Sequence, residues 1–353
     1  MNIATIIGAR PQFIKAAVIS DKINDENLLS EIIIHTGQHF EKNMSNIFFD
    51  EMNIKKPSYN LNINQIEYAQ MVDKMVHSIY PILLQENIKG VMVYGDTNST
   101  LAGSLAAKLL DIPIFHVESG LRSYNRSMYE ENNRILVDHL SSLLFCPNDN
   151  AINNLTKENL SDGVLLSGDV MYDAYLRFSN KAKAYINDFQ SSKYILATIH
   201  RRENITSKEK LSAIFGNLDK INHEKNIVMP LHPHTKKMIE NFKIQTNISF
   251  IQPVGYIPML SLLNNCEIVI TDSGGLQKES FFAKKKCITI RKETEWTELI
   301  DQGANLLCDP KDLFNSFKRY INKECDFLNN IYGDGNASNF IVKSIISYFS
   351  ERK

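Results

Sequence analysis

Strand-length apolar runs alternate with helix-length amphipathic stretches along the whole chain, and no other feature constrains the fold as tightly. In the first half the runs fall at 2–7, 31–36, 90–95, 113–118, 143–147 and 164–168. The second half repeats the scheme at 194–199, 226–231, 248–254, 267–271, 286–290 and 305–308. Ten to twenty residues of helical pattern lie between them. Such alternation specifies βαβ units, hence parallel sheets with helices on both faces. A chain of 353 residues exceeds one typical domain. The polar, weakly patterned stretch at 169–192 is the natural boundary. The expectation is an α/β protein of two doubly wound Rossmann-like domains, 1–170 and 171–336, with a ligand cleft between them. Ligands of such sheets sit beyond the carboxyl ends of the strands. The residues that follow each strand are therefore the ones that carry chemistry.

Basic and acidic residues nearly balance, 39 against 40, for a net charge of −1. No global field recruits nucleic acid or an anionic membrane, and any anion must be held locally. Cys146, Cys266, Cys287, Cys308 and Cys325 are odd in number and form no CxxC pair, the pattern of reduced cytoplasmic thiols. His232-Pro-His234 has no zinc-type spacing and no HExxH occurs, so neither a metal nor a cofactor is expected. The chain opens directly on a strand without a cationic leader, and no apolar run approaches the ~18 residues of a membrane span. The expected setting is the cytoplasm, with no membrane or nucleic-acid partner.

The first strand runs into GARPQFIK (8–15), a strand, Gly turn and helix with Pro11 in the first turn. The spacing is not GxGxxG, and Arg10 and Lys15 stand where a dinucleotide fold keeps bare backbone. Asp96 follows the run at 90–95, and His116, Glu118, Arg122, Glu130, Glu131 and Arg134 follow the run at 113–118. Asp96, Glu118 and Glu130 converge in this reading as proton-transfer groups, with Lys15 biasing which of them ionises. Each acid also fits a plain helix-capping role. In the second half His200 and Arg201 follow one strand, and TDSGG (271–275) follows another. Ser273-Gly274-Gly275 at a helix start offers free N–H groups to a diphosphate, and Glu279 lies over a turn further along. Trp296, the only tryptophan, reads as a core aromatic.

Taken together, GARPQFIK, HTGQH, GDTNST, HVESGLRS, EENNR, HRREN, HPHT, TDSGGLQKE and YGDGNAS, in that order, resemble the non-hydrolysing UDP-N-acetylglucosamine 2-epimerase family over the full length. The resemblance implies a GT-B architecture, a UDP-sugar ligand, a homodimer, and a C-terminal helix (about 337–353) that packs back on the first domain. It further implies an isomerase that inverts C2 by eliminating UDP to a 2-acetamidoglucal and adding it back. Carried over residue by residue, Lys15, Asp96, Glu118, Glu130 and His200 match catalytic positions. Arg10, Arg134, Met259, Ser273, Gly274, Gly275 and Glu279 match substrate and UDP contacts. Lys15 sets the chain apart from hydrolysing relatives, whose first turn reads more like GTRADYG.

Several positions depart from the family pattern. Tyr129 replaces a proline, Lys278 stands where an acid is common, and Met259 occupies an often aromatic place; its flexible thioether suits the same surface. Gln38 and His39 fit an activator loop, but Glu41, Ala69 and Gln70 do not, so allosteric activation is not expected. GARPQFIKA, TDSGGLQKE and RKETEWTEL are most similar to the branch acting on UDP-2,3-diacetamido-2,3-dideoxyglucuronate for surface polysaccharide such as lipopolysaccharide. That substrate's carboxylate asks for an extra cation, expected at Lys278 with Arg126 and Lys292 behind it. The alternatives are a UDP-GlcNAc/UDP-ManNAc 2-epimerase, a GT-B glycosyltransferase, which has no need of three acids in the first domain, and a nucleotide-sugar sensor without catalysis.

Overall fold

Near-continuous Val, Ile and Leu runs suit strands that are covered on both faces, and these runs build two parallel sheets. The structure, a computed structural model, describes residues 1–38, 52, 54–64, 67–185, 193–327 and 330–351. The chain divides into two compact units, Met1–Arg177 with Asn330–Lys353, and Phe178–Asn329.

In unit 1 the strands are β1 (Asn2–Ile7), β2 (Ser30–His35), β3 (Tyr59–Asn60), β4 (Gly90–Tyr94), β5 (Ile114–Val117), β6 (Leu143–Cys146) and β7 (Val164–Leu166). The helices between them are α1 (Arg10–Asp25), α2 (Tyr68–Gln85), α3 (Asn98–Lys108), α4 (Tyr129–Leu140) and α5 (Asp149–Lys157), and α6 (Val170–Ala184) follows β7 and runs across the boundary at Arg177. The sheet order is β3-β2-β1-β4-β5-β6-β7, all parallel. Thr5 is in register with Ile33 on one side and Met92 on the other. The order reverses at β1, so the crevice where such sheets bind ligands opens between the exits of β1 and β4. Ile6, Ile34, Val91 and Val93 of the sheet pack with Met75 and Ile79 of α2 and Leu101 of α3. β3 is a two-residue strand that the sequence pattern does not announce. Asp173 of α6 accepts the N–H groups of Ala337 (3.1 Å) and Ser338 (2.7 Å), capping the helix Ala337–Ser350 and tying it to unit 1.

Unit 2 repeats the plan with β8 (Ile195–Thr198), β9 (Ile227–Pro230), β10 (Ser249–Ile251), β11 (Ile268–Thr271), β12 (Lys286–Thr289) and β13 (Asn305–Leu307). Its helices are α7 (Arg202–Ile205), α8 (Lys208–Glu224), α9 (Pro233–Phe242), α10 (Tyr256–Asn265), α11 (Gly274–Phe282), α12 (Thr297–Asp301) and α13 (Leu313–Tyr320), and the following helix, α14 (Ala337–Ser350), belongs to unit 1. The order is β10-β9-β8-β11-β12-β13, and here the reversal lies between β8 and β11. Ile195, Ile270 and Ile288 of the sheet bury Leu211, Phe215 and Leu218 of α8. Burial pushes the Cys146, Cys266 and Cys287 thiols up to about 12, which leaves them inert core residues. No helix among the described residues is long and apolar enough to cross a membrane.

Under α1, Glu31 of β2 is almost fully buried and accepts a hydrogen bond from Thr5 Oγ1 at 2.5 Å. Desolvation raises its pKa, opposed by Thr5, Ser20 and the charge of Lys55. A carboxyl whose folded value is raised gives stability that is complete below its ordinary range and is lost as pH rises through the folded value. Glu31→Gln keeps an acceptor for Thr5 and removes that loss. Its melting temperature is expected to exceed the wild type's by about 2–4 °C at pH 8, with the gap closing towards pH 4, as calorimetry at the two pH values will test.

Candidate active site

Unit 1 gathers its polar side chains at the point where strand order reverses. Gln12 closes the turn after β1: its Oε1 accepts the N–H groups of Gly8 (2.8 Å) and Ala9 (3.0 Å). Its Nε2 donates to the Tyr94 carbonyl (2.9 Å), Thr97 Oγ1 (2.9 Å) and Thr100 Oγ1 (3.0 Å). One buried amide thereby joins the exits of β1 and β4. Gly8 leaves no room for a side chain, since a Cβ there would stand 2.1 Å from both Ser99 Oγ and Thr36 Oγ1. Arg10 opens α1 and is half-buried; Lys15, on the next turn, is buried.

The Lys15 ammonium pairs with the Glu118 carboxylate. Gly95 lies against both, its missing Cβ 3.3 Å from Glu118 Oε2 and 3.7 Å from Lys15 Nζ. Asp96 pairs with Arg134 of α4, and Asn133 Nδ2 donates to the Asp96 carbonyl at 2.9 Å. Glu118 has φ +68°, a conformation that a glutamate seldom adopts and that accumulates at functional sites. Glu130 is exposed in the first turn of α4, near Tyr68, whose phenol is raised by burial first and by the Glu130 charge second. Its neighbour Glu131 is 1% exposed and accepts the Ser123 N–H (2.9 Å), Ser123 Oγ (2.9 Å) and the Tyr124 N–H (2.8 Å). The second glutamate of the pair, not the first, holds the loop after β5.

Unit 2 uses the same logic with a carboxylate in place of the amide. Asp272, fully buried after β11, accepts from His200 N (3.0 Å), Arg201 N (3.0 Å) and Asn204 Nδ2 (3.0 Å), joining the exits of β8 and β11. The His200 ring is 40% exposed, with Nδ1 3.5 Å from the same carboxylate. Ser273 caps α11 and Gly274 and Gly275 open it. A Cβ on Gly274 would stand 2.9 Å from Glu295 Oε1, 3.8 Å from Arg291 Nη1 and 3.9 Å from Arg201 Nη2. Two guanidiniums thus flank a helix N-terminus, Arg291 paired with Glu295 at 3.1 Å, and the free N–H groups, the helix dipole and Arg201 favour a bound anion. Glu279 follows on the buried side of α11, and Met259 is half-buried in the first turn of α10.

Trp296 is a buried aromatic with a local duty: its indole N–H donates to the Gly274 carbonyl at 3.0 Å. Lys278, expected to offer its charge to a substrate carboxylate, is instead 2% exposed with its ammonium 4.0 Å from the centre of the Trp296 ring, a cation–π contact that turns the charge away from solvent. Of the activator-loop positions, Gln38 Oε1 accepts from Ser99 N (3.0 Å) and Ser99 Oγ (2.8 Å), while His39 and Glu41 lie outside the described residues. Among the described residues no group of three or more His, Cys, Asp or Glu side chains is arranged to hold a metal ion.

Gln12, Asp272 and Arg291 escape a sequence reading that looks only for reactive groups. The signal for the first two was position, since each follows a strand that borders the point of reversal. Arg291 directly follows the strand-like run at 286–290 and could have been found in the same way.

Two doubly wound α/β units, one lined with paired carboxylates and one with a cation-flanked helix start, define a GT-B-like nucleotide-sugar protein. A family model described as UDP-N-acetylglucosamine 2-epimerase matches residues 21–346, and the chain belongs to that family. A UDP-2,3-diacetamido-2,3-dideoxy-D-glucuronate 2-epimerase of Pseudomonas aeruginosa is 46% identical over 349 residues, covering 97% of this chain and 99% of that protein. A UDP-N-acetylglucosamine 2-epimerase of Methanocaldococcus jannaschii is 39% identical over 366 residues, covering 99% of each. The solved structure of the Methanocaldococcus jannaschii UDP-GlcNAc 2-epimerase in complex with UDP-GlcNAc and UDP matches with a TM-score of 0.90 at 38% identity, over 99% of this chain and 100% of that one.

The single tryptophan bonds the Gly274 carbonyl at the start of α11, so its emission reports on that turn. Inorganic pyrophosphate is expected to change Trp296 fluorescence saturably, and Arg201→Ala to weaken that titration by about tenfold, in line with loss of a charge-assisted contact. An unaltered titration in the variant would remove Arg201 from the site.

Proposed function

We propose that the protein is a non-hydrolysing 2-epimerase of UDP-2-acetamido sugars whose substrate is UDP-2,3-diacetamido-2,3-dideoxyglucuronate, converted to its manno epimer for surface polysaccharide. The observation that carries the reaction class is the pair of carboxylates at the unit 1 switch point, Glu118 beside Lys15 and Asp96 beside Arg134. The substrate assignment rests on the 46% identity to the Pseudomonas enzyme along 97% of the chain. It is supported by the presence here of TDSGGLQKE and RKETEWTEL.

The chemistry explains the division of labour. The C2 proton has no adjacent carbonyl and cannot simply be removed. A carboxylate takes the proton while the C1–O bond breaks towards the diphosphate, leaving a C1–C2 double bond and free UDP in the site. The reverse step adds UDP and returns a proton to the opposite face of C2. Two protonic groups and strong stabilisation of the leaving diphosphate are therefore needed. We assign proton transfer to Asp96, Glu118 and Glu130 with Lys15. We assign the diphosphate to Arg10, His200, Ser273, Gly274 and Gly275, with Arg201 and Arg291 added from the geometry. Glu279 takes the ribose, Met259 covers the uracil, and Arg134 orients Asp96. A homodimer in the cytoplasm completes the reading. A second reading, in which UDP-N-acetylglucosamine itself is the substrate, is favoured by the 39% identity to the Methanocaldococcus jannaschii enzyme.

Proton and phosphorus NMR in deuterium oxide tests both. The diacetamido uronate is expected to yield the manno UDP-sugar with deuterium at C2 and no accumulating UDP. Its kcat/KM is expected to exceed that of UDP-N-acetylglucosamine. Comparable turnover of UDP-N-acetylglucosamine would establish the second reading, and steady release of UDP with reducing sugar would refute both. Glu118→Gln is expected to lower kcat by about 100-fold or more, the scale of a lost general acid or base.

A further inference from the structure

Glu118 carries the unusual backbone of the unit 1 site, and Asp138 of α4 grips the chain on both sides of it. The Asp138 carboxylate is 1% exposed. It lies 2.7 Å from His116 Nδ1, two residues before Glu118. It accepts the Gly120 N–H at 3.2 Å, two residues after, and Arg122 Nη1 at 2.7 Å, four residues after. The His116 ring passes the grip onward, since its Nε2 lies 2.8 Å from the Gly95 carbonyl. A carbonyl only accepts, so Nε2 carries a proton, and Nδ1 donates to the carboxylate. The ring has no exposure to solvent and bridges the carboxylate and the Gly95 carbonyl.

Gly95 has φ +62° and immediately precedes Asp96. A single carboxylate thus fixes the turn of one proposed acid directly and that of a second through one imidazole. Arg122 is held in turn by Glu158, with Nε to Oε1 and Nη2 to Oε2 both at 2.7 Å. Burial alone would push the Asp138 carboxyl up, but the His116 and Arg122 contacts leave it below its ordinary range. The register of α4 makes the arrangement a single device: Glu131, Arg134 and Asp138 fall on one helical face. The first holds Ser123 and Tyr124, the second pairs with Asp96, and the third clamps the residues around Glu118.

We infer that Asp138, acting through His116 and Gly120, is the positioning residue that fixes Glu118 and the Gly95–Asp96 turn for proton transfer. The inference rests on the reading of Glu118 as an acid–base group. A buried ion network that only fastened α4 to the sheet would govern stability and leave turnover alone. A positioning network governs kcat, because displacement of a reacting group by about 1 Å costs about 100-fold.

The test uses the full chain with Asp138→Ala, Asp138→Asn and Glu118→Gln. The Ala variant is expected to lose about 100-fold in kcat, with KM and the calorimetric Kd for UDP within about threefold of wild type. The Asn variant, which keeps the shape and one acceptor, is expected to recover about tenfold of that loss, and it carries the test if the Ala variant does not fold.

Folded Asp138 variants with wild-type kcat overturn the inference, as does a loss of kcat that tracks an equal loss of UDP affinity. Should Glu118→Gln retain full activity, the functional reading itself fails. An inactive Glu118→Gln beside active Asp138 variants would defeat the positioning role alone.

Discussion

Parallel pairing of β1 with β4, and of β8 with β11, is the constraint from which both sites follow. Where strand order reverses, the chains leaving neighbouring strands turn to opposite faces of the sheet, and a crevice opens between them. The crevice exists only if the two exits stay in place, and in each unit one buried polar side chain holds them. In unit 1 it is the Gln12 amide, bonded to the exits of β1 and β4; in unit 2 it is the Asp272 carboxylate, bonded to residues after β8. Either group, unpaired in these buried places, would be strongly destabilising, so the polar cross-link and the strand pairing depend on each other.

Charge is handled locally, as a net charge of −1 requires. In unit 1 Glu118, Asp96 and Asp138 are each matched by a cation from another element, Lys15, Arg134 and Arg122 respectively. Burying one partner without the other would leave an uncompensated ion in low dielectric. The pairs therefore assemble only when α1, α4 and the loop after β5 are all docked. The same requirement makes α4 a bracket rather than a packing helix, since its buried face is largely polar at Glu131, Asn133, Arg134 and Asp138.

Much of this was legible in the sequence. The apolar runs marked the long strands because parallel strands must be apolar on both faces, and the charged residues after them marked the site regions. What stayed hidden were the lateral neighbours. Nothing in the run at 2–7 says that it pairs with 90–94, so the link from Gln12 to Thr97 and Thr100 is invisible without register. The choice between Glu130 and Glu131 was equally hidden, because adjacent helical residues point about 100° apart and only the docked helix decides which one faces the loop. β3 eluded the pattern because two residues show no period.

Lys278 shows why residue type alone misleads about a charged site. As a sequence letter it is a cation three residues after Gly275, free to meet a substrate carboxylate. In the fold, helix geometry places it one turn beyond Gly274, on the side where Trp296 bonds the Gly274 carbonyl. Its ammonium is held over the Trp296 ring inside the unit, and its charge is not presented to solvent. The two units thus differ in electrostatics: unit 1 sets Glu118, Asp96 and Asp138 against cations, while unit 2 sets Arg201 and Arg291 beside one helix end. The elimination proposed for this chain, which takes a proton at C2 and expels an anion at C1, calls for both.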